Sequence, residues 1–315
     1  MEAHLVIALS FLALVAPACA AAPHPASSPA PLTRLFGPVI GQQPIRGREE
    51  GDGVIVLLVD NMLVRVDVDE RRATSTPIGL DSGQMCWGLG RLADGSLWTL
   101  RGRFSAVSID ARGRPSRAIE LSEPHAGLFA AGARLIYQKA VSTAGEPVLR
   151  AAPPGGDWTT WSDLRARRFP GIDRAQASAL NLVACGRSRT VERACWFPDE
   201  AAVALVDADG RTRRVALTGL DAIAPEVLLT AENPRRPIRD VYIDDERRIW
   251  VLSSGEPGAG AADVPGGWLL ARYAPDGMPD GQTRLAEPAR LILRIDRSRV
   301  ILLAGSGDVS EVASW

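Results

Sequence analysis

The sequence predicts an all-β fold, a six-bladed β-propeller of four-stranded antiparallel blades whose ring is closed by an N-terminal strand joining the last blade. Three observations predict it. One phrase is written twice, "LADGSLWTL" (92–100) and "DDERRIWVL" (244–252): an acidic turn, then an aliphatic residue, Trp and Leu. A hairpin recurs as "MLVRVDVDERRATSTPI" (62–78), "FSAVSIDARGRPSRAIEL" (104–121), "AVALVDADGRTRRVAL" (202–217) and "WLLARYAPDGMPDGQTRL" (268–285), alternating strands around acidic or glycine-bearing turns. Glycine tolerates the positive φ that tight turns require. Finally, candidate second strands fall near 53–59, 96–100, 134–140, 192–198, 248–253 and 299–304, the spacing of four-stranded blades.

The chain opens differently. Leu5 to Val15, "LVIALSFLALV", is apolar apart from Ser10. It is too short to span a bilayer and has the length of a signal-peptide core. Ala18-Cys19-Ala20 supplies small residues for cleavage after Ala20, although "MEAH" before it carries no Lys or Arg. The expectation is an exported protein, periplasmic or secreted, with residues 1–20 removed. The alternative is a lipid anchor at Cys19, since "VAPAC" approximates a lipobox. Residues 21–32, rich in Pro, Ala and Ser, form a solvated linker. The propeller is assigned to 33–315, beginning with the spare strand in "LTRLFGPVI" (32–40). The last unit, 290–315, holds three strands, so that spare strand completes it and removes two open edges.

Composition is that of a globular chain: 46% hydrophobic, 23% charged, net charge -1. Such a charge recruits neither nucleic acid nor an acidic membrane. No mature segment shows a long helical period; Leu220 to Asn233 allows one or two turns. Cys185 and Cys195 flank a predicted hairpin near Thr190, which places them opposite one another for a disulfide. Cys86 is left over, buried and inert. Trp98, Trp196 and Trp250 are assigned equivalent second-strand positions that pack between blades. Trp158 and Trp161 are expected partly exposed, and the basic stretch 165–174 a solvated connection.

The repeated pattern D-x-x-G-x-[IL]-W-[VT]-L followed by D-x-D-G resembles the NHL, gluconolactonase-like and streptogramin-lyase-like six-bladed propellers. The resemblance covers nearly all of the mature chain, and its motif residues are structural. It implies a propeller; among such proteins are metal-dependent lactone hydrolases, lyases and binding modules. No residue set here matches the lactonase metal ligands position by position.

Chemistry-bearing residues are few. His4 leaves with the signal and His24 lies in the linker, so any histidine chemistry rests on His125 in "SEPHAG", beside Glu123. No nucleophile-elbow, zinc-protease or phosphate-loop motif occurs. A hard cation would need converging oxygens; candidates are Asp81, Glu123, Asn181, Glu232, Asn233 and Asp240. Asp240 and Asn181 are the metal candidates, with Asp240 best placed at the start of an inner strand. The insertions 219–239 and 253–267 project from one face and form a lip with Glu232, Asn233, Arg235 and Arg236. The leading expectation is a non-catalytic binding or scaffold module, holding a small molecule, glycan or envelope protein at Glu123, His125 and the lip. The alternative is a metal-dependent lactonase-like hydrolase, the only reading that calls for a divalent cofactor. The mature chain is expected to carry no membrane span.

Overall fold

The computed structural model describes residues 29–41, 43–51, 53–79, 84–110, 112–154, 156–157, 159–188, 193–230, 238–254, 267–296 and 299–312. Strand β1 (Leu32–Phe36) comes first. Blade 1 is β2 (Ile45–Gly51), β3 (Val54–Val59), β4 (Met62–Asp67) and β5 (Arg72–Pro77). Blade 2 is β6 (Cys86–Arg91), β7 (Leu97–Arg101), β8 (Ser105–Ile109) and β9 (Pro115–Glu120). Blade 3 is β10 (His125–Ala131), β11 (Arg134–Lys139), β12 (Leu149–Ala152) and β13 (Thr159–Thr160). After α1 (Arg174–Leu180), blade 4 is β14 (Ala184–Cys185), β16 (Arg193–Trp196), β17 (Ala202–Val206) and β18 (Thr212–Ala216). The two-residue β15 (Arg187–Ser188) lies between β14 and β16 in sequence. Helix α2 (Pro225–Thr230) precedes blade 5: β19 (Asp240–Ile243), β20 (Ile249–Ser254), β21 (Trp268–Tyr273) and β22 (Pro279–Leu285). Blade 6 is β23 (Ala289–Asp296), β24 (Arg299–Ala304), β25 (Val309–Val312) and, outermost, β1.

The chain is therefore a six-bladed β-propeller. Its second strands coincide with the predicted spacing because their residues can only be buried on both faces: β3, "VIVLLV", is buried from Ile55 onward. Outer strands are polar; β5, "RATSTP", faces solvent along most of its length. Six apolar clusters fill the six interfaces between neighbouring blades. Trp98 packs between blades 2 and 3, Trp196 between 4 and 5, and Trp250 between 5 and 6.

Closure is as predicted. Leu32 pairs with Val312, Thr33 with Glu311 and Arg34 with Ser310, so the first strand covers the edge of the last blade. The contacts begin before Thr33. Leu32 lies in the strand, and Ala30 bridges Leu285 on the edge of blade 5, donating its N–H to Arg284 O at 2.7 Å.

The duplicated phrase is one turn used twice. Gly95 N–H donates to Leu92 O and Leu92 N–H to Ser96 O. In blade 5 Arg247 N–H donates to Asp244 O and Asp244 N–H to Arg248 O. Arg247, at φ 61°, stands where Gly95 has φ 83°. The acidic residues of the turns are structural: Asp110, Asp207 and Asp244 each accept two backbone N–H groups of their own turn.

Three expectations need correction. Trp196 is not at the position of Trp98 and Trp250. Leu97 pairs with Ile109, just before the Asp110 turn, and Arg193 pairs with Val206, just before the Asp207 turn. Ala194 thus takes the place of Trp98, and Trp196 lies two residues further along the same face. Trp161 is buried against Phe129, ring centroids 5.5 Å apart, rather than partly exposed; Trp158 lies outside the described residues. The stretch 165–174 is anchored, not merely solvated. Arg167 makes a two-pronged bond to Asp199 at 2.7 and 2.8 Å, reaches Glu200 at 3.0 Å, donates to Leu180 O and lies 4.0 Å over the Phe197 ring. Asp173 then caps α1, its carboxylate accepting from Ala175 and Gln176 N–H, so a helix forms where no period announced one.

Candidate functional site

Innermost strands line a propeller's central channel, and here its middle is crossed by ion pairs. Arg48 on β2 meets Asp240 on β19 through two bonds, Nη1 to Oδ2 at 2.8 Å and Nη2 to Oδ1 at 3.1 Å. Both side chains are almost wholly enclosed, 8% and 4% exposed. Arg48 Nη1 also donates to Ile292 O at 2.6 Å, and Ile292 N–H donates to Asp240 Oδ2 at 2.7 Å. Blades 1, 5 and 6 are tied together at the axis. A planar guanidinium matches a carboxylate with two parallel bonds, the geometry that best offsets desolvation.

A second pair spans opposite blades. Arg193 on blade 4 reaches Glu49 on blade 1 at 3.2 Å, donates to Ala130 O at 2.8 Å and lies over the Phe129 ring. Its path exists because the inner strand of blade 4 is cut short. After Cys185 the chain turns at Gly186 and β15 runs parallel to β19 of blade 5, Arg187 pairing with Tyr242. A side chain at Gly186 would sit 2.1 Å from Val241 O, so only glycine allows this crossing. Cys185 pairs with Cys195 and forms the disulfide expected from sequence. Cys86 is the free thiol among the described residues; burial pushes its pKa up to about 11 and keeps it protonated.

Two cavities open toward the face that carries the inter-blade connections, called here the entry face. An axial one, about 220 Å³, lies among Arg46, Gly47, Gly127, Gln138, Val183 and Cys185, with Arg48 and Arg193 also on its wall. An off-axis one, about 310 Å³, lies between blades 4, 5 and 6 and is lined by Trp196, Ile238, Arg239, Trp268, Pro288 and Arg290 among others. Exposed large apolar side chains gather on the same face. Met85, Phe104, Val141, Leu182 and Val227 all sit on connections that topology places there; Met278, on a hairpin of the other face, is the exception among the described residues.

Of the predicted ligand and metal candidates, Glu123, His125, Asn181 and Asp240 are described. Glu123 accepts from Arg150 at 2.6 Å and lies 3.6 Å from Lys139, which also binds Glu146. His125 is not on the loop: it begins β10, is buried, and packs edge-on against Tyr137 with centroids 5.3 Å apart. Asp240 is held by Arg48 and Ile292. Asn181 ends α1, its amide exchanging two bonds with the Arg167 backbone. Asp81, Glu232, Asn233, Arg235, Arg236, Cys19 and Ala20 lie outside the described residues. Among the described residues no three His, Cys, Asp or Glu side chains are grouped to hold a metal ion, and no helix is long and apolar enough to cross a membrane.

Sequence reading missed Arg193 and Arg290. Arg193 left a trace, a cation where the equivalent positions carry Leu97 and Ile249. Arg290 left none.

His125 makes stability pH-dependent. Burial, the largest influence, lowers its pKa below 6.5, against a smaller opposing effect of Glu123. The unfolded chain then binds a proton that the folded one refuses, so this contribution is present above about pH 6.5 and is lost on acidification. Melting temperature should fall more steeply from pH 7 to 5 in the parent protein than in His125→Phe. Parallel curves would show that His125 does not contribute.

No protein-family model and no curated protein matches the chain. Solved structures share its fold. A member of the DUF4221 family from Bacteroides vulgatus superposes with a TM-score of 0.55 at 11% identity, covering 89% of this chain and 94% of that one. A calcium-binding protein, regucalcin, from Agrobacterium tumefaciens gives 0.54 at 12% identity, covering 90% and 95%. A streptogramin B lyase gives 0.50 at 10% identity, covering 84% and 77%. These neighbours differ in function, and at such identities the likeness is one of fold.

Proposed function

We propose that this protein is an exported, non-catalytic binding propeller whose ligand or partner sits on the entry face, off the axis. The observation that supports this best is the pairing of the axial carboxylates with arginines. A hydrolase built on a channel-bound cation needs carboxylates free to converge on it. Here Asp240 and Glu49 are paired with Arg48 and Arg193 instead. The off-axis pocket and most of the exposed apolar residues described share the entry face. Export rests on the N-terminal sequence and fits the disulfide.

A melting assay separates this reading from the metal-dependent hydrolase. An ion present at a hundred times its Kd stabilises by about 2.7 kcal/mol. The expected result is no change in melting temperature between calcium or zinc and chelator, and no lactone hydrolysis. A calcium- or zinc-dependent rise accompanied by turnover would establish the hydrolase instead. N-terminal sequencing of the protein from envelope fractions should begin at Ala21, or be blocked at a lipidated Cys19. An intact Met1 in cytoplasmic fractions would refute export.

A further inference from the structure

The off-axis pocket has a composition that selects a ligand. Its lining mixes polar and apolar groups; the apolar part is the indole of Trp268, the edge of the nearly buried Trp196, Ile238 and Pro288. Into it face two arginines. Arg239 is exposed and donates its Nε–H to Ser254 Oγ at 2.8 Å. Arg290 is half-buried, and its partners are backbone carbonyls: Gly41 O at 2.9 Å and Gln43 O. A guanidinium carries five N–H donors. Two are spent holding the segment between β1 and β2, which fixes the group's plane. The others remain for a ligand.

The electrostatics agree. Burial lowers the pKa of Arg290, and among the described residues no acidic neighbour acts to raise it again. Arg294, four residues on, shows the contrast: Asp69 and Asp296 flank it, and its pKa is raised. A half-buried cation lacking a carboxylate gains from any anion that enters. A single pre-oriented fork fits one carboxylate, and flat indole walls fit a flat apolar body. The cavity, about 310 Å³, is at the small end of the ~300–1,000 Å³ range of small-molecule sites.

We propose that the pocket between blades 4, 5 and 6 binds a small carboxylic acid with a flat apolar frame, its carboxylate on Arg290 and its frame against Trp196 and Trp268. This rests on reading the entry face as a binding face, and narrows it to one ligand class.

Titration calorimetry of the mature protein with indole-3-acetate and benzoate, against indole-3-acetamide and benzamide, tests it. The acids should bind saturably and the amides at least about tenfold more weakly, the loss of one charge-assisted contact. Arg290→Gln should weaken the acids by about tenfold or more and leave the amides unchanged. Arg290→Lys, which keeps the charge, should restore part of the affinity. Because Arg290 also ties Gly41 and Gln43, Trp268→Ala serves as a second variant, expected to weaken acid and amide alike. Equal binding of acid and amide, undiminished binding to Arg290→Gln, or no binding of either acid overturns the inference. Turnover of a bound acid would instead overturn the non-catalytic reading and leave the pocket assignment standing.

Discussion

Arg48→Ala is expected to destabilise the protein by about 3–5 kcal/mol, the cost of leaving one member of a buried ion pair alone. The substitution strands Asp240 mid-channel, 4% exposed, with Ile292 N–H as its remaining neutral partner among the bonds described above. It also frees Ile292 O. Because Arg48 ties blade 1 to blades 5 and 6, the loss falls on the seam where the ring closes. Replacing both partners, Arg48→Met with Asp240→Leu, should recover part of the stability, since an apolar pair avoids both desolvation costs but leaves Ile292 N–H and O without these partners. A thermal double-mutant cycle reads the coupling directly. If Arg48→Ala alone melts within a degree of the parent protein, the pair is not what ties blade 1 to blades 5 and 6.

Gly210→Ala should cost about 2–5 kcal/mol. Gly210 ends the turn between β17 and β18 at φ 84°, where an L side chain pays about 1–2 kcal/mol. A Cβ there would stand 1.4 Å from Trp161 O on the rim of blade 3. One blade or the other must move, which adds roughly 1–3 kcal/mol of overpacking. Gly95 isolates the second effect: its φ is 83°, and an added Cβ meets nothing within 4 Å. Gly95→Ala should therefore lose only about 1–2 kcal/mol. Equal melting temperatures for the two variants would show that the contact between blades 3 and 4 is not tight. The same close approach recurs at Gly277, 2.0 Å from Ala216 O, so each such turn buttresses the blade before it.

Much of the fold could be read locally. Turn chemistry such as Asp207-Ala208-Asp209-Gly210 and apolar runs such as "VIVLLV" depend on neighbours a few residues away, and they locate strands to within a residue or two. The spare strand at Leu32–Phe36 was legible by counting, because three strands in the last blade demand a fourth. Cys185 and Cys195 were legible because a hairpin brings equidistant residues together. Trp196 misled because spacing alone cannot show the register of its strand, which the pairing of Arg193 with Val206 sets. His125 misled because a loop-like "SEPHAG" gives no sign that Tyr137 will cover it.

The amino-acid sequence by itself determined the blades, their order, the strand that closes the ring and the disulfide, since each follows from periodicity, turn residues or hairpin pairing over short spans. Only the tertiary structure decided that ion pairs cross the axis and that a second pocket lies beside it. Arg48 and Asp240 are 192 residues apart, and Arg193 and Glu49 are 144. Such pairs meet because a ring returns distant strands to one axis, and charge attracts through space whatever the length of chain between.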